Sequence, residues 1–272
     1  MQQADKNLAP DALINTQGEP QFGVYYRPIE TINLTDFNYR KVAPFPMNLS
    51  TATSRGAIKR WQYMGFASSQ VVVGMAVVDI GYAHTAFIYV YNRVSGKLHD
   101  MSYIDPLRRK ATLSESSLVG VSQFVSGKKV LRMDNHSGMT ARSVFAHIPE
   151  TLRLEIETDE TGMTPLCAVT RDGLNGYNYC HKGAGFPIKV DVVDFDYHKD
   201  AILTQPWRIR SNDGRVDLTF QADSERAEDI NLGLVISKFH QPFGQFEGRL
   251  EIDGRMENVS LYGMVEEHQA RW

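Results

Sequence analysis

The feature that most constrains the fold of this chain is the alternation of apolar and polar side chains with a period of two. It runs through residues 216–220 and 152–156, and in shorter form through residues 207–209 and 250–252. Successive residues of a strand point to opposite sides, so the pattern predicts strands with one face on a core and one in water. Such half-buried strands are typical of antiparallel sheets.

Turn residues separate these runs. Gly96 and Gly127 each follow a serine, and Gly214 and Gly254 each follow an aspartate. Glycine supplies the positive φ that tight hairpins need. No stretch predicts an amphipathic helix with caps at both ends, and the best short candidates, residues 51–59 and 224–229, are equally well turns.

The number of strands suggests how the chain is divided. We count about 15 strand-like runs, whereas one closed barrel uses about 8 to 10 strands. An all-β chain of two antiparallel, barrel-like halves follows. We expect an N-terminal arm at residues 1–20, a first half at 21–137 and a second half at 138–272, with the boundary in the polar, turn-rich segment 134–140.

Charge and composition exclude several functions. The net charge of −3 provides no basic field for a nucleic acid. The longest apolar run, residues 71–78, is far shorter than the about 20 residues of a membrane span. Nucleotide-binding and hydrolase motifs are missing, and the histidines occur singly, which predicts neither a cofactor nor a metal.

The two cysteines bear on the compartment. Cys167 and Cys180 could pair across a hairpin or remain free thiols. Residues 1–10 lack the apolar core of a secretory signal, which favours free thiols and a cytoplasmic protein.

Patches along most of the chain, in matching order, resemble the domain-of-unknown-function 2804 (DUF2804) family. They lie at residues 61–63, 73–82, 86–90, 106–107, 181–187 and 206–220. The most specific patches are the closing sequences QPFGQFEG at 241–248 and GMVEEHQARW at 263–272. The resemblance implies two lipocalin-like β-barrel halves, similar in architecture to AttH and carotenoid 1,2-hydratase-type proteins. Some relatives of that type act on lipophilic substrates without a metal or organic cofactor.

One segment departs from the family pattern. Pro187 and Pro206 are only 19 residues apart, where the family carries a longer stretch with additional strands. We therefore expect a shortened central segment, and with it an altered or missing activity if that segment lines the pocket.

Two pairs of residues are candidates for acid–base chemistry. Tyr82 and His84 share a face if their strand is regular, so that a phenol and an imidazole would point together. The alternative is that the Asp79–Gly81 stretch forms a hairpin turn. Glu266 and His268 also share a face, as an acid–base pair or as a structural ion pair.

Three aromatic residues are candidates for a ligand-binding wall. Trp61 and Tyr63 lie on one face of a predicted strand, and Trp207 begins another. Aromatic side chains with a few polar groups are typical of small-molecule pockets. Ordinary core packing is the alternative.

The sequence thus predicts a protein that binds a lipophilic small molecule, with optional cofactor-free hydratase, lyase or isomerase chemistry. The alternative is a non-enzymatic structural or partner-binding β protein with a filled core. Whether the protein is an enzyme, which ligand it binds and its oligomeric state are left open by the sequence.

Overall fold

The computed structural model describes residues 9–25, 29–38, 58–116, 119–136, 141–159, 166–172, 176–182, 193–231, 236–252 and 254–271. Within these ranges the regular structure is β-strand, apart from short 3₁₀ turns at Leu34–Asp36 and Lys199–Ala201. The sheets are antiparallel and one of them curls into a half-barrel, which confirms the expected all-β fold class.

In chain order, the strands of the described residues are β1 (Gly23–Tyr25), β2 (Arg60–Ala67), β3 (Val71–Asp79), β4 (His84–Asn92), β5 (Lys97–Asp105), β6 (Ala111–Thr112), β7 (Gly120–Ser126), β8 (Lys129–Asn135), β9 (Ala141–Ile148), β10 (Leu152–Asp159), β11 (Leu166–Asp172), β12 (Gly176–Lys182), β13 (Val193–Asp196), β14 (Trp207–Ser211), β15 (Val216–Asn231), β16 (Ile236–Ile252), β17 (Arg255–Met264) and β18 (Glu267–Arg271).

The strands form four sheets, in which most adjacent strands are also consecutive in sequence. The orders are β10-β9-β8-β7-β6, β2-β3-β4-β5, β1-β11-β12 and β13-β14-β15-β16-β17. Strand β18 pairs with the N-terminal end of β16. The predicted alternating runs all lie in strands, within β10, β14, β15 and β16. In β11 and β12, Cys167 lies opposite His181 and Cys180 opposite Ala168, so the two cysteines are not register partners.

The chain forms two compact units. Unit 1 comprises residues 1–64, 75–88 and 102–187, and unit 2 comprises residues 65–74, 89–101 and 188–272. Residues 1–8 of the predicted arm and residues 137–140 at the predicted boundary lie outside the described residues. The division of the chain into halves at 137/138 stays a prediction.

Unit 1 buries the apolar face of its five-stranded sheet. On β9, Val144, Ala146 and Ile148 are buried at every second position, as the pleat of a strand requires. Near the N-terminus, Leu13 and Ile14 are buried in a small cluster with other apolar side chains. Residues 9–20 of the predicted arm thus contribute to a packed core.

Unit 2 has its apolar core on β14 and on the first half of β15. Trp207 lies opposite Phe220 and Ile209 opposite Leu218, so the four side chains share one face of the sheet. They belong to a buried cluster to which Val216 also contributes. The apolar residues whose alternation predicted these strands therefore form the core of unit 2.

A β-bulge interrupts the pairing of β15 with β16. Ala222 lies opposite Gly244, and the next partners are Ser224 and Phe243, so Asp223 has no counterpart on β16. A side chain at Gly244 would overlap the carbonyl oxygen of Gln221, which explains the glycine beside the bulge. Bulges of this kind bend the strand and re-aim the side chains beyond them.

The bulge changes which face of the sheet is buried. Before it, Phe220 pairs with Phe246; beyond it, Arg226 pairs with Gln241. Phe246 and Gln241 are an odd number of positions apart on β16, so the two pairs project to opposite faces. Arg226 and Gln241 are nevertheless both buried. Residues 224–229, a helix or turn candidate from the sequence, are strand. The sequence there shows no apolar alternation, because the side chain that is buried in it, Arg226, is polar.

Candidate functional site

In unit 2, the strand half beyond the bulge buries polar side chains. The polar cluster comprises these buried side chains and more exposed ones that contact them. The buried members are Tyr89, Arg226, Ser237 and Gln241, and the more exposed members are Asp100, Glu228, Glu266 and His268. Its aromatic neighbours are Tyr91, Phe239 and Phe243. Aromatic walls with a few convergent polar groups are the usual composition of a small-molecule site.

A hydrogen-bonded chain crosses the polar cluster from its interior to its surface. The Tyr89 hydroxyl donates to Gln241 Oε1 at 3.0 Å, and Gln241 Nε2 donates to Glu266 Oε2 at 3.4 Å. An ionised carboxylate only accepts, so the amide of Gln241 turns its NH₂ toward Glu266 and leaves its carbonyl for the phenol. Tyr89 and Gln241 are buried whereas Glu266 is exposed, so the chain ends on a carboxylate that meets water.

The ring of Tyr89 packs against Phe243 and Gly74. It stacks on Phe243 with 5.5 Å between the ring centroids and 8° between the planes. A side chain at Gly74 would overlap the same ring, so the glycine provides the space that Tyr89 fills. This packing holds the hydroxyl in place against Gln241.

Arg226 carries a positive charge into the polar cluster, where its side chain is 2% exposed. Its Nε lies 3.5 Å from Asp100 Oδ1, and its Nη2 donates to Glu228 Oε2. Burial raises the pKa of Asp100; Arg226 opposes this and Glu228 adds to it, so the pKa stays above its ordinary value. The guanidinium group of Arg226 therefore contacts two carboxylates. That of Asp100 is protonated more readily than an ordinary aspartate side chain.

The sequence-predicted residues Glu266 and His268 both lie at the exposed rim of the polar cluster. Glu266 contacts Gln241, and His268 Nε2 is hydrogen-bonded to Ser237 Oγ at 3.1 Å. The His268 ring meets the Phe239 ring edge-on at 5.4 Å. Glu266 precedes β18, so the regular strand that would align the two side chains begins one residue later. Their acid–base role stays a prediction.

Unit 1 contains a second polar group, centred on the buried carboxylate of Asp79. Arg108 Nη2 donates to both carboxylate oxygens, at 2.9 and 3.1 Å, and the Gly81 N–H donates at 2.8 Å. Arg60 Nη2 lies 3.6 Å from Oδ2. Burial raises the pKa of Asp79, but the hydrogen bonds from Arg108 and Gly81 and the charge of Arg108 together hold it below its ordinary value.

His84, a predicted base, is placed beside Asp79. Its Nδ1 accepts the backbone N–H of Ala111 at 3.0 Å, so the ring proton is on Nε2, which lies 3.9 Å from Asp79 Oδ1. Burial lowers the pKa of His84, with Arg108 acting in the same direction and Asp79 in the opposite one. The contacts are those of a neutral imidazole whose Nε2–H lies near Asp79 but beyond hydrogen-bond distance, and its catalytic role stays a prediction.

Tyr82 lies in the hairpin turn between β3 and β4. The Ile80 N–H donates to the Ala83 carbonyl at 3.1 Å, and Gly81 has a φ of 86°. Of the two arrangements that the sequence allowed, the structure has the hairpin, and Tyr82 therefore does not share a strand face with His84. Its ring is exposed and lies under the ammonium group of Lys59 at 5.0 Å.

The aromatic residues predicted as a ligand-binding wall have different surroundings. Trp61 is 61% exposed on β2, and Tyr63 packs on Phe87 with 6.4 Å between the centroids. Trp207 is 2% exposed in the apolar core of unit 2, where its indole N–H donates to the Ile202 carbonyl. The environment of Trp207 is that of core packing, and the wall role of all three stays a prediction.

Sequence reasoning missed the central members of both groups. Tyr89 and Gln241 occur in strands that read as ordinary alternating sequence, and Arg226 follows the bulge. Asp79 and Arg108 are 29 positions apart, and nothing in their local sequence links them. The one usable signal was Gly81 after Asp79, which marks a turn that a carboxylate can cap.

Among the described residues, no three side chains of the His, Cys, Asp or Glu type come together as ligands for a metal ion. No helix in the same part of the chain has the length and apolarity to cross a membrane.

Comparisons with known proteins give one match. A family model described as a domain of unknown function (DUF2804) matches residues 4–192 and 184–272. No curated protein and no solved structure matches the chain.

Proposed function

The chain belongs to the DUF2804 family, and from that premise we propose that it is a lipocalin-like small-molecule-binding protein. Its polar cluster in unit 2 would hold the polar end of a lipophilic ligand. The similarity to AttH and carotenoid hydratase-type proteins enters as an analogy of architecture only. A cytoplasmic location is part of the proposal and rests on the sequence.

The observation that carries the proposal is the chain from Tyr89 through Gln241 to Glu266, set among aromatic rings. Buried polar groups cost free energy unless each is hydrogen-bonded, so an interior that served stability alone would be cheaper if apolar. A ligand with one polar group can exchange hydrogen bonds with Gln241 while its apolar body packs on Phe243 and Tyr91.

The same residues support cofactor-free acid–base chemistry. Glu266 is an exposed carboxylate that can accept a proton, and the phenol of Tyr89 can donate one to a developing negative charge on oxygen. Hydration, dehydration or isomerisation of a lipophilic substrate requires these functions. Tyr82 and His84 belong to unit 1, and their predicted roles are not needed for this proposal.

The shortened central segment is consistent with a modified ligand site. The two stretches that match the family overlap at residues 184–192, where the short interval between Pro187 and Pro206 begins. A family member that has lost strands at this point would differ from longer relatives in the ligand it accepts.

A non-enzymatic protein with a filled core is the second candidate. It is favoured by the packing of Tyr89, which is fully buried against Gly74 and Phe243 with its hydroxyl already bonded. In this case the polar cluster would fix strand register and bind nothing.

Native mass spectrometry of the freshly purified protein, followed by solvent extraction and a thermal-shift panel of lipids and terpenoids, tests the proposal. We expect a retained or stabilising lipophilic compound, with weaker binding in Glu266→Gln. Glu257→Gln, an exposed carboxylate change on β17, is the matched control and should bind as the wild type does. A bare protein mass with no stabilising compound would favour the filled core, and equal losses in both variants would exclude Glu266 from the site.

A further inference from the structure

Among the described residues that interact with Asp79 in unit 1, the positive charges outnumber the negative ones. Lys59, Arg60 and Arg108 all interact with the carboxylate of Asp79. His84 adds no charge in its neutral form. Burial lowers the pKa of Lys59, and Arg108 lowers it further while Asp79 acts against both. The carboxylate of Asp79 therefore faces two guanidinium groups and the ammonium group of Lys59, whose pKa is lowered.

The neighbouring loop does not supply the missing negative charge. The carboxylate of Asp105 accepts the backbone N–H groups of Leu107, Arg109 and Lys110, so it is committed to folding that loop. The loop in turn adds two more basic side chains, Arg109 and Lys110. Across Asp79, Asp105 and these five basic residues, cations outnumber carboxylates.

The same loop holds Arg108 in one orientation. Arg108 has a φ of 52°, in the left-handed region that non-glycine residues rarely adopt. The hydrogen bonds to Asp105 on both sides of it and the pairing with Asp79 maintain this conformation. A guanidinium positioned in this way loses little entropy when it binds a ligand.

Both guanidinium groups keep donors available. Arg108 bonds Asp79 through Nη2 alone, and within the described part of the chain no acceptor engages its Nη1 or Nε. Arg60 approaches Asp79 at 3.6 Å, beyond hydrogen-bond distance. The two side chains are 36% and 32% exposed, so an incoming ion can reach them.

We propose that Arg60 and Arg108, with Lys59 beside them, form a binding site for an anionic oxygen group, a phosphate or carboxylate. Guanidinium forks match the geometry of both groups and form charge-assisted hydrogen bonds with them. Asp79 interacts with all three cations and offsets only one of their positive charges. The site is independent of the polar cluster in unit 2, so the two proposals stand or fall separately.

Isothermal titration calorimetry at low salt, with inorganic phosphate and hexyl phosphate as probes, tests this site. We expect wild-type binding with a Kd of about 1 mM or tighter. Arg60→Gln should weaken it about tenfold, because one of the two guanidinium groups is lost. Arg109→Gln removes the same charge from an exposed position of the neighbouring loop and should change the Kd by less than about twofold.

Arg108→Lys adds a second check, because it keeps a positive charge beside Asp79 but removes the planar guanidinium group. We expect a folded protein with weakened binding. Much tighter binding of hexyl phosphate than of phosphate would identify the head group of a lipophilic molecule, and equal binding a small free anion; both support the site. Absence of binding to either probe, or equal weakening by Arg60→Gln and Arg109→Gln, would overturn it.

Discussion

The two halves of the β15–β16 pair use the same backbone pairing to bury opposite kinds of side chain. Before the bulge, Phe220 and Leu218 belong to an apolar core with Trp207. Beyond it, Arg226 and Gln241 are buried as deeply but in ion pairs and hydrogen bonds. Asp223, the extra residue of the β-bulge, separates the two halves. Because of this extra residue, the buried side chains on either side of the bulge project to opposite faces of the sheet.

The contrast indicates where stability and function reside. Apolar burial contributes to stability at about 25 cal/mol per Å², so the first half supports the fold. Buried charges return little net free energy even when they are paired. The second half is therefore the part of the sheet whose composition stability does not explain, and the part where we place the ligand.

The largest effect is expected in the apolar half. Phe220→Ala should lower the free energy of unfolding by about 3–5 kcal/mol, because a fully buried ring is lost and a cavity is left. Phe195→Ala removes an exposed ring of the same sheet and should cost less than about 1 kcal/mol. Urea unfolding measures both. Similar losses would mean that the Phe220 cluster is not the core.

A smaller loss is expected on removal of the buried charge. Arg226→Met leaves two carboxylates without their partner, a change that costs about 3–5 kcal/mol when both are fully buried. Asp100 and Glu228 are 30% and 34% exposed, and water reduces the cost to about 2 kcal/mol. The triple variant with Asp100→Leu and Glu228→Met should recover most of it. If the triple variant is as unstable as Arg226→Met, the ion pairs are needed for stability.

Loss of one hydroxyl from the polar half should cost about 1 kcal/mol. Tyr89→Phe keeps the stacked ring and removes the hydrogen bond to Gln241, which leaves a buried carbonyl unsatisfied. Tyr103→Phe is the control, since no residue in the described part of the chain bonds that hydroxyl. Equal unfolding free energies for Tyr89→Phe and wild type would show that water or a ligand replaces the phenol.

The smallest effect is a pH dependence that differs in sign between two carboxylates. Burial raises the pKa of Asp100, with Glu228 adding and Arg226 opposing. Its contribution to stability is therefore present below its unfolded-state pKa and is lost as the pH rises through the folded-state value. Relative to Asp100→Asn, the wild type should lose stability as the pH rises above about 4.

Asp79 provides the opposite case. Its pKa is held low in spite of burial, so its contribution is present above the unfolded-state pKa and is lost as the pH falls through the folded-state value. Relative to Asp79→Asn, the wild type should lose stability in acid. Urea titrations at several pH values give both differences, and equal signs would contradict the assigned environments.

The apolar half could be predicted from sequence, and the polar half could not. Alternation is unbroken at residues 216–220, so the strand and its buried face follow directly. Beyond Asp223 the apolar alternation stops, and the buried side chain of Arg226 lies on the other face of the sheet, which only the pairing with β16 reveals. Arg226 therefore reads as an ordinary surface residue. Glu266 and His268 were identified from their chemistry, but Tyr89 and Gln241, which connect Glu266 to the interior, were not.

Thiol labelling along β16 tests the change of face most directly. In a Cys167→Ser, Cys180→Ser background, single cysteines replace Ser237, Lys238, Arg249 or Leu250, and their rates of alkylation are compared. We expect slow labelling at 237 and 250 and fast labelling at 238 and 249, since the protected positions change from odd to even across the bulge. Protection that keeps one parity along the whole strand, with 237 and 249 equally reactive, would contradict the face change and the polar cluster built on it.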